Sequence, residues 1–495
     1  MPAVASGDWQ KDCALAEFMN KTSRYDLISL SVIALVSIFS LCRFNYLPQF
    51  IDGYYHLSVA NAFLKSGGWV GWSWWDFAPL GRPHLYPPLY HFILAGLIKS
   101  GISGINAVRL TEVSIVPLFF INVWYVFRRL TGVKFAFFTT FILSGFFPFY
   151  SSVSANVPAS LALIFGVFTW FFTARRQTRR AVLMLTLCFY THAAIPWLFF
   201  ISLVFAAVFD QDYRKIILKI IILSLIFYSP LLDHQIKYLS YLNIKVWAEA
   251  SYTYVNIFVM LFGLFSLFKN LRNNTLAYRF FLGYVLAGAV IFAKYPYRFF
   301  SAQGFIGPAL ISAWLLEQAV KPLKGLGLHL FVVAVSVYLF LFSSILSINR
   351  GDPKVELMAS TCYKFINGSM LDVGQYQSSF YPGYYNDVIA VIKKNTSPDD
   401  IISSNVMVIS QIFSSLCNRP CANSMLMETR PKNISHGYEN SKIIVWLKDV
   451  AGSKGDFKHT GWEKILENDI LYVFLNHNCR VKAVILPAKI RFIRV

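Results

Sequence analysis

Apolar runs about as long as a bilayer's hydrocarbon core recur through the first 346 residues, and a soluble fold has no place for so many of them. They occupy 25–43, 107–127, 133–149, 158–174, 216–232, 251–268, 276–293, 299–319 and 326–346. The stretch 181–209 is long for one helix and short for two, and Pro196 near its middle reads as the join of a tight pair. The sequence therefore predicts an α-helical polytopic membrane protein with about eleven transmembrane helices, at roughly twenty residues per span. Composition agrees, with 56% of the 495 residues hydrophobic and only 14% charged.

The net charge of +20 carries topological information. Arg128 and Arg129, the four arginines at 175, 176, 179 and 180, Arg214 with Lys215, Lys269 with Arg272, and Lys321 with Lys324 fall in alternate connections. Short basic connections stay in the cytoplasm. The same parity places the amino terminus in the cytoplasm. It puts a first external loop at 44–106, a turn at 150–157, a loop at 233–250 and everything after Ser347 on the extracellular, periplasmic or lumenal side. The scattered basic residues form no continuous patch, which removes nucleic acid as a partner. Seven cysteines make no disulfide framework in a chain this long, although Cys362, Cys417, Cys421 and Cys479 of the tail are placed to pair.

Two domains follow from the change in composition: a transmembrane domain at 1–347 and a soluble external domain at 348–495. The tail reads as a small α/β unit, with an amphipathic helix at 386–394, a strand-like run at 400–409, helix then strand at 461–475, and a further strand at 481–486.

The chemistry-bearing stretch is 50–91, an aromatic-rich loop between hydrophobic segments. Asp52 follows a span by a few residues, at the depth where a lipid-borne phosphate lies, and an ionisable group there is a functional candidate. Trp69, Trp72, Trp74 and Trp75 are expected to form an interfacial belt that holds the loop against the bilayer. Glycosyl transfer from a lipid phosphate needs positive charge to offset the leaving group and a carboxylate to position or deprotonate the acceptor. Asp52 suits the second task and, with a metal, the first. Its structural alternative is the N-cap of a helix starting at Gly53. Asp76 has a structural reading too, bonded to backbone or to Arg82.

The order of Asp52, the tyrosine pair at 54–55, Ser-Gly-Gly at 66–68, Trp-Trp-Asp at 74–76, Pro-Leu-Gly-Arg at 79–82 and Tyr-Pro-Pro at 86–88 resembles the first external loop of the catalytic subunit of oligosaccharyltransferase, a GT-C glycosyltransferase. Fainter matches follow in the same order: 150–165 in the place of the second external loop, Glu249 in a later loop, Tyr297-Arg298-Phe299 at a span end, and 395–420 at the start of the external domain. The resemblance implies a GT-C-like fold and a membrane glycosyltransferase that takes a sugar or glycan from a polyprenyl-phosphate or pyrophosphate donor at the outer membrane face. Asp52 and Glu249 would be the catalytic acids and the ligands of a divalent metal, Mg or Mn. Arg298, Lys294 and His84 would bind the donor phosphate, and the acceptor would be a protein, glycan or lipid.

Two departures bear on the acceptor and the metal. The family's acidic pair in the second external loop is missing, since 152–165 holds no Asp or Glu and only Asn156 and Ser160 stand nearby as polar substitutes. Where the family carries a sequon-reading Trp-Trp-Asp-Tyr-Gly motif, this chain has Asn405-Val406-Met407-Val408-Ile409. The alternatives are an oligosaccharyltransferase with a differently built sequon pocket and a non-catalytic lipid-binding paralogue.

Overall fold

The computed structural model describes residues 23–45, 51–242, 252–270, 273, 275–349, 352–367, 382–424, 438–448, 460–488 and 490–491. In chain order the helices begin with α1 (Arg24–Leu41), α2 (Ile51–Ser66), α3 (Leu89–Lys99), α4 (Gly104–Leu130), α5 (Val133–Gly145), α6 (Phe147–Ala155), α7 (Val157–Ala174), α8 (Thr178–Thr191) and α9 (Ile195–Phe209). They continue with α10 (Gln211–Lys237), α11 (Ile257–Asn270), α12 (Leu276–Ile291), α13 (Pro296–Phe300), α14 (Ile306–Val320), α15 (Gly325–Leu341), α16 (Thr361–Ile366), α17 (Pro382–Asn395) and α18 (Met407–Cys417).

Every apolar run read from the sequence contributes helix to the bundle, although 251–268 opens as a strand at Tyr252–Asn256 and 299–319 is broken before Ile306. Among the described residues, α1, α4, α7 and α10 are long and apolar enough to cross a membrane on their own, and shorter apolar helices fill the spaces between them. The stretch 181–209 is the expected pair, α8 and α9. His192 sits at the join, where its Nδ1 accepts hydrogen bonds from the backbone N–H of Ala194 (3.0 Å) and Ile195 (3.3 Å), and Pro196 occupies the first turn of α9. The run 133–149 is shorter as a helix than expected. The chain turns extended at Phe146, and Pro148 opens the separate helix α6. The basic ends are stapled by ion pairs, Asp26–Arg128 at 2.7 Å between α1 and α4 and Asp210–Arg279 at 2.8 Å between the start of α10 and α12. Gly166 lets the Phe199 ring of α9 lie directly on α7, because a Cβ there would stand 2.0 Å from that ring.

The tail departs from expectation in several elements. Its sheet has the order β7 (Ile402–Ser404), β8 (Ile443–Leu447), β10 (Leu471–Asn476), β9 (Trp462–Glu467), with β7 and β8 parallel and the other pairs antiparallel. The stretch 461–475 is thus a hairpin of two strands, where helix then strand was expected. The cause is a bulge. Val473 pairs Leu466 while Phe474 pairs Lys464, so Ile465 is the extra residue, and it sets two apolar neighbours side by side in a way that mimics helical spacing. The run 400–409 contributes only three strand residues before α18 begins at Met407. The strand expected at 481–486 is reduced to one bridge between Lys482 and Asp400. The expected boundary at 347 falls within β5 (Ile345–Asn349), the middle strand of an antiparallel sheet with β4 (Tyr252–Asn256) before α11 and β6 (Asp352–Glu356) after it. The tail is therefore sewn to the bundle. Its described cysteines are unpaired.

The long connection at 44–106 does not form an interfacial belt of tryptophans. Trp69, Trp74 and Trp75 are buried, because the tail covers them. Cys421 donates its backbone N–H to the Trp75 carbonyl and accepts from Ala78 N–H, each at 2.9 Å, and Gln411 Nε2 of α18 donates to Ser58 Oγ of α2 at 3.0 Å. Tyr54, Ile51 and Ile105 complete the apolar cluster of the tail.

Candidate functional site

Asp52 occupies the first turn of α2, which begins at Ile51, so it lies inside the helix and is not the N-cap of one starting at Gly53. A carboxylate there is favoured by the helix dipole. It is partly buried and lies within electrostatic range of Arg298 and of Glu112. These three groups come from α2, α13 and α4.

Arg298 is held from several sides. Pro296 starts the short helix α13, and the guanidinium lies 5.5 Å from the Tyr295 ring centroid. Arg298 Nη1 donates to Gln303 Oε1 (3.0 Å), Gln303 Nε2 donates to Ser152 Oγ of α6 (3.0 Å), and the Gln303 carbonyl accepts from Tyr284 OH (2.9 Å). Burial works against the charge on Arg298, but Tyr295 and Asp52 outweigh it and hold the guanidinium above its ordinary range. A fixed, permanently charged fork of this kind matches the geometry of phosphate oxygens.

The second connection thus enters the site through Ser152 and Gln303. Asn156 and Ser160, which stand where the family has acids, are used locally: Asn156 Oδ1 accepts from Ala159 N–H at the start of α7 (3.3 Å), and Ser160 Oγ donates to the Val153 carbonyl (2.9 Å). Lys294 is exposed in the turn before α13. Glu249 lies outside the described residues. Among the described residues no three His, Cys, Asp or Glu side chains come together to hold a cation.

His84 belongs to a different neighbourhood. It is fully buried, its Nδ1 within 3.2 Å of Ser73 Oγ and its ring against Phe63, Trp75 and His91. His56 and His91 meet at 2.9 Å in the same aromatic cluster. Burial drives the His56 pKa down to about 3, and burial with the nearby Arg82 and His234 keeps His84 well below the usual histidine range. These rings are neutral near pH 6, where a phosphate-facing cluster would be charged. Asp76 and Arg82 form the structural pair read from the sequence, 2.8 Å apart and fully buried.

Sequence reading missed Glu112, Gln303 and Ser152. Glu112 had a signal, an acid inside the apolar run 107–127. Gln303 and Ser152 had none, since their role depends on two connections meeting in space.

No sequence-family model and no curated protein matches the chain. Solved structures do match. The oligosaccharyltransferase AglB from Archaeoglobus fulgidus, in complex with an inhibitory peptide and a dolichol-phosphate, superposes with a TM-score of 0.57 at 13% identity, covering 86% of this chain and 70% of that one. The same organism's oligosaccharyltransferase in complex with Zn and sulfate gives 0.55 at 14% identity over 84% and 68%. ArnT from Cupriavidus metallidurans bound to undecaprenyl phosphate gives 0.53 at 13% identity over 91% and 97%. At such identity the likeness carries the fold: this is an integral membrane protein with the GT-C architecture of AglB and ArnT.

Proposed function

We propose that the chain is a membrane glycosyltransferase that moves a sugar or glycan from a polyprenyl-phosphate or pyrophosphate donor to an acceptor on the tail side of the membrane, with the tail extracellular, periplasmic or lumenal. The observation that carries this reading is Asp52 within electrostatic range of Arg298, on the side of the bundle that the tail covers. That the GT-C structures include one bound to undecaprenyl phosphate and one with a dolichol-phosphate supports a lipid-linked donor.

In this mechanism Arg298, aligned by Gln303, takes the phosphate oxygens of the donor and offsets the charge that grows on them as the bond to the sugar breaks. Asp52 accepts the proton of the acceptor's nucleophile as that nucleophile bonds to the anomeric carbon. Lys294 adds a second cation at the entrance. Asp52 and Glu249 would hold a divalent cation, Mg or Mn, which would add positive charge to that of the arginine at the leaving group. His84, buried and neutral, supports the loop and leaves the phosphate to Arg298.

The segment 405–409 speaks against sequon reading. Asn405 exchanges hydrogen bonds with the backbone of Leu447, at 2.9 and 2.8 Å, and Met407 already starts α18. Neither Asn-X-Thr nor Asn-X-Ala peptides should be glycosylated, and selective glycosylation of the first would favour the oligosaccharyltransferase reading. The direct test is turnover of labelled lipid-linked sugars by purified protein. Asp52→Asn should lose about 10²- to 10⁴-fold with unchanged expression, and equal turnover by both proteins removes Asp52 from the mechanism.

A further inference from the structure

Glu112 stands early in α4, within an apolar run, and it is placed for more than packing. Its Oε1 is sealed from solvent and has no hydrogen-bond partner among the described residues. Asp52, Arg43 and Arg109 lie within its electrostatic range. The local fold explains why. Helix α4 packs on α2, and Arg109 Nη2 donates to the Asn45 carbonyl (3.2 Å) in the turn that follows α1. Ile105, at the start of α4, joins the same apolar cluster as Ile51, the residue before Asp52. Asp52 in the first turn of α2 and Glu112 further along α4 therefore come within electrostatic range of each other. A desolvated carboxylate oxygen without a donor is costly, and such groups persist where a ligand brings the donor.

We propose that Glu112 is the second carboxylate of the reaction centre, supplied by α4 where the second connection has only serines and an asparagine, and that it accepts a hydrogen bond from the acceptor beside Asp52. This rests on the transferase reading. In the step, Asp52 takes the proton of the nucleophile and the nucleophile's heteroatom bonds to the anomeric carbon. The bond from that carbon to the phosphate oxygen breaks, and its electron pair leaves with the phosphate at Arg298. Glu112 orients the acceptor through the hydrogen bond that its Oε1 accepts, and exchanges no atoms.

The test uses full-length purified protein in detergent with undecaprenyl phosphate as the probe. In the wild type, a hydrophobic carbodiimide should modify Glu112, read by mass spectrometry of its peptide, and saturating undecaprenyl phosphate should suppress the modification. Glu112→Asp, which keeps a carboxyl group, should leave undecaprenyl phosphate binding at the wild-type level. A packing role would leave Glu112 unmodified, or modified to the same extent with and without undecaprenyl phosphate. Modification that is absent or unprotected overturns the proposal. Failure of the wild type to bind undecaprenyl phosphate overturns the transferase reading and this inference together. Binding by the wild type that leaves Glu112 unprotected overturns this inference only.

Discussion

Asp76 and Asp52 lie on the same long connection, each within reach of an arginine, and the two pairs are built in opposite ways. Asp76 meets Arg82 from its own segment, six residues on, at 2.8 Å, and both side chains are sealed under the tail with the Arg82 guanidinium 5.9 Å from the Tyr55 ring. Asp52 lies within electrostatic range of Arg298 from a distant part of the chain, both partly exposed, and Arg298 is steadied by Gln303. The first pair has no room for a ligand, so it fixes the loop's conformation. The second keeps solvent access and is positioned by other groups, which is what a site that exchanges partners needs. One loop thus carries a locked half and, on the proposed reading, a working half.

The comparison breaks most visibly if the locked half proves dispensable. Asp76→Asn leaves Arg82 buried without its counter-charge and should cost about 3 to 5 kcal/mol of stability, measured as a lower melting temperature or lost yield; a wild-type melting temperature would remove the pair from the scaffold. Acid should act on the same half. His56 and His84 are held neutral with folded pKa values below the unfolded one, so their contribution is intact above about pH 6.5 and falls away as pH drops towards the folded values. The loss should be roughly 1.4 kcal/mol per pH unit for each ring, visible in melting curves between pH 6.5 and 5, and His56→Phe should flatten it. The smallest effect belongs to the working half. Gln303→Leu should leave stability nearly unchanged and weaken undecaprenyl phosphate binding by about tenfold, the order of one hydrogen bond to a charged group. Unchanged binding would detach Gln303 from Arg298's task.

The membrane-spanning part was legible because hydropathy acts over whole helices: the pair around Pro196 and the places of the long spans could be read directly, while their ends could not, since α10 runs Gln211–Lys237 where 216–232 was expected. The tail was less legible. Its strands are short, and the bulge at Ile465 gave 461–467 a helix-like spacing. The tryptophans misled for a related reason. An aromatic loop beside a span reads as a belt until one knows that Cys421 and α18 lie over it. In the candidate site, Asp52 and Arg298 were each singled out by an aromatic setting beside a span end, and the structure brings them within electrostatic range. Glu112 stood in plain view as an acid in an apolar run, but counting that run as a span hid it. Gln303 and Ser152 were beyond reading, since only the meeting of α6 with the segment after α13 gives them a role.

The central claim is that Arg298 receives a lipid-borne phosphate beside Asp52. Its most direct test is equilibrium binding of undecaprenyl phosphate to purified wild type and to Arg298→Gln, with Asp76 and Arg82 intact in both. The account predicts saturable binding by the wild type and at least about tenfold weaker binding by the variant, as expected for losing a charge-assisted contact. Equal affinity in the two proteins would contradict it.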